Sequence, residues 1–228
     1  MAATLLSCDT CAVRGRAACA ALSDGERREL ARLGRRRTLK AGETLFSGGD
    51  DASCATLISG ALKISSIDEW GTERILSLVH PAGFVGEMFA QVAHHDVVAL
   101  TDSEACVFGR RDYETAVVRF PALALSLLRR SSEELFESRS LIDLMSRRTA
   151  RERVAGFLLA MARAASDSAC HAASHFDLPI SRGEMAGLLG LTIETVSRQL
   201  TALERAGTIR RTGLRGIELV DAARLGTV

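Results

Sequence analysis

The chain of 228 residues is long enough for one or two domains with their own cores. Its makeup, 47% hydrophobic, 25% charged and 4% aromatic, excludes a disordered or low-complexity protein. No apolar run reaches the ~18 residues that span a bilayer. A net charge of +1 decides nothing about nucleic acid, but its distribution does: residues 147–228 carry 12 Arg against 8 acidic residues, and residues 1–146 carry 17 basic against 20 acidic. The C-terminal part is therefore the one suited to phosphates.

The first 20 residues form an arm with three of the six cysteines, Cys8-x2-Cys11-x7-Cys19. The opening MAATLLSC lacks the basic stretch and long apolar core of a secretion signal, so a cytoplasmic location is expected. In that reduced setting the cysteines read as metal ligands or buried thiols rather than disulfides. Cys-x2-Cys with a third cysteine soon after suits zinc or an iron–sulfur cluster, and the spacing does not choose. A fourth thiolate is needed, and Cys54, Cys106 and Cys170 are available.

Ser23 with Glu26 three residues on forms a capping box that opens a short helix, whose Leu30 and Leu33 are expected to pack inward. From Arg37 to about Phe108 the texture changes to short strands separated by glycine turns, such as Lys40-Ala41-Gly42-Glu43 and Ile58-Ser59-Gly60. A small antiparallel β-roll is expected, with Cys54 a small buried hydrophobe on one strand. Residues 121–146 read as one long helix begun by Pro121. Leu128, Leu135 and Ile142 lie seven apart, and Ser131, Ser138 and Met145 interleave with them, a heptad seam for a coiled-coil dimer that the serines should keep weak. The competing reading packs this stripe on the chain's own β-roll.

Arg147, Arg148 and Thr149 mark a hinge, and an amphipathic helix follows over 150–165. Residues 166–181 read as a polar loop ending in a short strand, where Cys170, His171 and His175 are expected to be solvated. In RGEMAGLLGLTIETVSRQLTALERAG (182–207), Met185, Leu188 and Leu189 give one helix an apolar face. Gly190 breaks it, and Thr192 caps a second helix carrying Val196, Leu200 and Leu203 inward. Ala186 is small where the helices cross. This is a helix-turn-helix pattern, whose second helix enters the DNA major groove by its N-terminal residues. Glu194, Ser197 and Arg198 share one face there: Arg is bidentate to guanine, Glu accepts from the cytosine amine, and Ser pairs with either kind of edge. TIRRTGLRGIELV (208–220) reads as a hairpin wing with Arg210, Arg211 and Arg215 placed for phosphates.

GLTIETVSRQL resembles the recognition helix of the Crp/Fnr family of bacterial transcription regulators. The form Glu194-x-x-Ser197-Arg198 is similar to the Fnr-type oxygen-sensing branch, because the cAMP-receptor branch typically has Gly where Ser197 stands. The resemblance implies an α+β protein: a cysteine arm (1–20), an antiparallel β-roll sensor of the cyclic-nucleotide-binding type (21–120), a dimerisation helix (121–146) and a winged helix-turn-helix domain (147–228). Gly83-x-x-Gly86-Glu87 resembles part of that fold's phosphate cassette, but Asp96-Val97 falls where an Arg-Ser/Thr pair should meet the phosphate, so no cyclic nucleotide is expected. By resemblance Cys106 occupies the remote fourth-ligand position of oxygen-sensing Fnr proteins. This implies a [4Fe–4S] cluster on Cys8, Cys11, Cys19 and Cys106, although the x7 gap differs from the x5 gap of the enteric type.

The resemblance further implies a homodimer that binds double-stranded DNA at sites like TTGAT…ATCAA without oxygen, with RNA polymerase as a partner. Alternatives keep the DNA binding and change the signal to haem and nitric oxide (with His94-His95 as ligands), a zinc-locked arm or a thiol switch. An iron–sulfur electron carrier is a further alternative and leaves the helix-turn-helix unexplained. No nucleophile–base pair, P-loop or dinucleotide fingerprint points to an enzyme.

Overall fold

A computed structural model describes residues 8–147, 149–166 and 171–227. Contacts divide the chain into two compact units, one up to Phe136 and one from Glu137, and the division falls inside a single helix.

In the first unit the arm runs through turns into a short 3-10 segment, Ala18–Ala21, and then helix α1, Asp24–Leu33. The Ser23–Glu26 capping box is formed in both directions. Leu30 is buried, but Leu33 is 42% exposed, against expectation: α1 ends there and the chain turns at once into strand β1. Eight strands follow: β1 (Gly34–Leu39), β2 (Thr44–Phe46), β3 (Ser53–Ser59), β4 (Leu62–Ile67), β5 (Glu73–Val79), β6 (Phe84–Gly86), β7 (Asp96–Ala99) and β8 (Ser103–Gly109). They make two four-stranded antiparallel sheets, in the orders β1-β8-β3-β6 and β2-β7-β4-β5.

The roll's core is aliphatic, with Leu39, Leu57, Leu62, Val79, Val85, Val97, Ala105 and Val107 closing it. Because side chains alternate across a strand, Ala105 and Val107 on β8 face this core while Glu104 and Cys106 point to the other face. That outer face is covered in turn. Ala18, Leu22 and Leu30 from the arm and α1 pack with Cys54, Phe108, and Tyr113 and Ala116 of helix α2, Arg110–Arg119. Cys54 is fully buried, and its thiol is pushed up to about 12 by burial, so it is an inert core residue.

Gly60 closes the β3–β4 turn at φ +89°, where a Cβ would stand 2.2 Å from Ser103 Oγ and 2.6 Å from the Asp102 carbonyl oxygen. Gly60→Ala is expected to destabilise the protein by about 2–4 kcal/mol, combining left-handed strain with overpacking. A urea melt that leaves the midpoint unmoved would show that the turn relaxes freely.

Helix α3 spans Pro121–Ser146. Leu123 and Leu127 are buried in the layer over the roll. The heptad residues are not: Leu128 is 65%, Leu135 50% and Ile142 67% exposed, and Ser131, Ser138 and Met145 are exposed as well. The stripe therefore does not pack on the chain's own roll. Among the described residues no helix is long and apolar enough to cross a membrane.

The second unit is helical with a small sheet. Helix α4, Ala150–Ala164, is opened by a capping box of Thr149 and Glu152 and buries Val154, Phe157, Leu158 and Met161. Helix α5, Arg182–Leu189, carries a third such box, Ser181 with Glu184. Helix α6 runs Ile193–Arg205. The wing is β10 (Ile209–Thr212) with β11 (Gly216–Leu219), joined on its other edge by β9 (His175–Asp177). A short helix α7, Ala222–Gly226, ends the described chain. Cys170 and Arg148 lie outside the described residues.

Candidate cysteine centre and nucleic-acid interface

Cys8, Cys11 and Cys19 from the arm and Cys106 from β8 line one cavity of about 170 Å3. Cys106 sits mid-sheet, paired with Arg36 of β1 on one side and Thr56 of β3 on the other. The arm is brought over it by packing: Val13 and Ala17 are buried with Ile58 and Ala82, and Cys11, Cys19 and Cys106 lie against that cluster. Arg27 supplies the polar half of the attachment. Its nearly buried guanidinium donates to the carbonyls of Cys19 (3.2 Å) and Leu22 (2.9 Å), and pairs with Asp24 at 3.1 Å. Asp24 also holds Arg14 at 2.7 Å. Arg130 of α3 donates to the carbonyl of Arg16, tying the arm to the long helix. Sequence reasoning missed Arg27 and Arg130, because backbone carbonyls as partners leave no motif.

Cys8, Cys19 and Cys106 hold their protons more firmly than free thiols. Burial, then the neighbouring Cys11 and others, raises Cys8; burial, then Cys8 and Cys11, raises Cys19. Cys106 is pushed up to about 12 by burial and by the other three thiols. Three guanidinia, Arg14, Arg27 and Arg36, and one carboxylate, Glu104, also border the cavity; Arg36 is paired with Glu104, and Arg14 and Arg27 with Asp24. Among the described residues, no three His, Cys, Asp or Glu side chains come close enough to hold a single metal ion. Ligands of one tetrahedral zinc stand about 3.8 Å apart, from Zn–S bonds of about 2.3 Å. Four soft thiols around one cavity are a donor set that fits either a structural zinc or an iron–sulfur cluster, and the cavity has room for a polynuclear group.

The phosphate-cassette region is turned to other uses. Gly86, at φ +116°, lets β6 approach β3: a Cβ there would be 2.2 Å from the Ser53 carbonyl oxygen. Glu87 accepts from the His94 N–H at 3.0 Å and pairs with the rings of His94 and His95. Burial raises its carboxyl, but these partners outweigh burial and hold it below the usual range. Asp96 accepts from the Gly48 N–H at 2.9 Å. His94 and His95 are thus engaged as partners of a carboxylate.

In the second unit Gly190, at φ +61°, ends α5 in the left-handed conformation, and Arg153 of α4 caps the same helix end through the Leu189 carbonyl at 3.2 Å. Thr192 caps α6 through the Thr195 N–H at 3.2 Å. Val196, Leu200 and Leu203 are buried, which leaves Glu194 and Arg198 exposed and Ser197 half-buried on the opposite side. The Glu194 carboxyl is held below its ordinary range by its own backbone N–H and by Thr192, so it stands ionised as an acceptor. The wing arginines differ from one another. Arg210 pairs with Glu218 at 2.8 Å and stays exposed. Arg211 is committed inward, donating through Nε to Glu204 of α6 at 2.8 Å, so it joins wing to helix. Arg215 donates to the Pro179 carbonyl at 3.1 Å. Arg182, at the first position of α5, is exposed and was not singled out from sequence.

Residues 152–228 match the Crp-like helix-turn-helix domain and residues 36–119 the cyclic nucleotide-binding domain. The chain is 36% identical over 224 residues to the transcriptional activator protein FnrL of Cereibacter sphaeroides, covering 96% of this chain and 90% of that protein. It is 34% identical over 225 residues to the nitrogen fixation regulation protein FixK of Bradyrhizobium diazoefficiens, covering 96% and 92%. The structure of FixK2 from Bradyrhizobium japonicum superposes with a TM-score of 0.77 at 27% identity, over 85% of this chain and 96% of that one. A roll, a long helix and a winged helix-turn-helix, in this order and with relatives matched over nearly their whole length, leave no enzyme to look for: this chain belongs to the Crp/Fnr family of DNA-binding transcription regulators.

Proposed function

We propose that this chain is an oxygen-responsive transcription activator that holds a [4Fe–4S] cluster on Cys8, Cys11, Cys19 and Cys106. On this reading it dimerises through α3 and binds sites like TTGAT…ATCAA when oxygen is absent. The observation that carries the reading is the single cavity lined by all four thiols, three from the arm and one from the sheet. When bound, the cluster supplies an oxygen-labile iron–sulfur centre. The chain's own residues do the rest. With the four thiols engaged, the arm is fastened to β8 at its tip as well as by Arg27 at its base, and Arg130 carries that attachment to α3.

The exposed stripe of Leu128, Ser131, Leu135, Ser138, Ile142 and Met145 is the proposed dimer seam. Its serines keep it weak, which a signal-controlled dimer requires, since a few kcal/mol cannot shift a saturated equilibrium. A dimer brings two α6 helices to half-sites about one helical turn apart, and one alone binds poorly. Thr192 sets the start of α6; Glu194, Ser197 and Arg198 read bases; Arg210 meets phosphate; Arg211 contributes by holding the wing to α6. RNA polymerase as a partner and a cytoplasmic location belong to the same proposal. With Asp96 where an Arg-Ser/Thr pair should meet a phosphate, and Glu87 engaged by His94, no cyclic nucleotide is its signal.

The test is a visible absorption spectrum of protein purified without oxygen, repeated after air. A broad brown absorption that bleaches in air is the expected result. A sharp Soret band would move the signal to haem, and a colourless protein, with or without zinc, would overturn the sensor while leaving the DNA-binding fold in place.

A further inference from the structure

Two buried hydroxyls line the cysteine cavity without a hydrogen bond among the described residues, those of Thr56 and Tyr113, and the second is the one carried by a large core side chain. Tyr113 of α2 is 1% exposed, with its ring stacked on Phe84 at 5.5 Å between centroids and tilted against Phe108 at 5.0 Å. The ring is thus fully used as a core aromatic, and a phenylalanine would pack equally well. The hydroxyl is not used: among the described residues it makes no hydrogen bond, whereas a buried tyrosine ordinarily finds a partner. No side-chain nitrogen or oxygen of the described residues is both fully sealed and unpartnered, so this oxygen keeps some exposure, and Tyr113 is among the residues that line the cavity. It lies within electrostatic reach of Cys54, of Cys19, of the Arg130 guanidinium and of Cys106, in that order, so two of the four cavity thiols are among its neighbours. A donor held without a partner at the wall of a cavity calls for an acceptor inside it.

We propose that the Tyr113 hydroxyl donates a hydrogen bond to a sulfur of the group held by Cys8, Cys11, Cys19 and Cys106, and thereby raises its reduction potential. The inference rests on the iron–sulfur reading above. Hydrogen bonds to the sulfurs of such groups favour the more negative, reduced form, and are among the levers that set its potential. Tyr113 is accordingly a tuning residue and holds no iron.

The experiment compares wild type with Tyr113→Phe, both reconstituted without oxygen, by iron and sulfide content, midpoint potential and the melting temperature of the metal-free form. The expected result is equal iron and sulfide, equal melting temperature, and a potential shifted negative. One neutral hydrogen bond corresponds to roughly a fivefold change in the equilibrium, or about 40 mV at 59 mV per decade for one electron. Equal potentials in the two loaded proteins would overturn the tuning role and leave the iron–sulfur reading intact. A clearly lower melting temperature for metal-free Tyr113→Phe would also overturn it, by showing that the hydroxyl is bonded within the fold. Wild type that takes up no iron and sulfide would overturn the reading itself, and this inference with it.

Discussion

Cys106→Ser is expected to abolish cluster assembly and high-affinity DNA binding together, lowering affinity for a specific site toward the non-specific level, about 10^3-fold or more. Of the four cavity thiols Cys106 alone belongs to the sheet, while Cys8, Cys11 and Cys19 travel with the arm. Removing it leaves the arm's own thiols with nothing to fasten to on β8. Serine is close in size and the position is only half-buried, so the roll should fold, and circular dichroism of the metal-free protein checks this. Cys54→Ala is the control: that thiol is buried beneath the outer layer and does not line the cavity, so iron content should be unchanged. A Cys106→Ser protein that still binds DNA tightly and loses that affinity in air would sink the ligand assignment.

On the proposed docking of α6, Arg198→Ala is expected to cost about 1–3 kcal/mol at one guanine in each half-site. A symmetric site engages two copies, so the total is about 2–6 kcal/mol, or roughly 30-fold to 10^4-fold in affinity. The side chain is exposed on the face of α6 opposite Val196, Leu200 and Leu203, so truncation removes a contact without touching the core. Discrimination at that base pair should fall with it. Fluorescence anisotropy at fixed salt, on sites varied at one position, separates the two effects, because a phosphate contact would weaken all sequences alike. Undiminished affinity would mean that the helix docks in another way. Arg211 should behave differently: its guanidinium is bound to Glu204, so its loss loosens the joint between wing and α6.

Much of the architecture was legible wherever the signal is local. Heptad spacing and Pro121 marked α3 over Pro121–Ser146, and Gly190 with Thr192 marked the turn between α5 and α6. Backbone geometry explains this, since a left-handed turn demands glycine and a helix start demands a side-chain acceptor. The boxes at Thr149–Glu152 and Ser181–Glu184 follow the same rule and could have been read as readily as Ser23–Glu26. Helix α2 went unread because Gly109 offers no capping side chain, although Tyr113, Ala116, Val117 and Phe120 carry a helical period. Leu33 was misjudged because whether the last turn of a helix is covered depends on where the chain goes next.

The amino-acid sequence by itself determined the elements, the helix-turn-helix and the presence of six cysteines, since all of these follow from residues near one another in the chain. Only the tertiary structure decided that Cys8, Cys11, Cys19 and Cys106 share one cavity, that Arg27 and Arg130 hold the arm by its carbonyls, and that Arg211 is turned inward. The Arg130 contact spans 114 positions and depends on which faces of sheet and helix bury each other, while those of Arg27 and Arg211 span only 5 to 8 and turn on which partner the packed unit presents, so neither is settled by a local pattern.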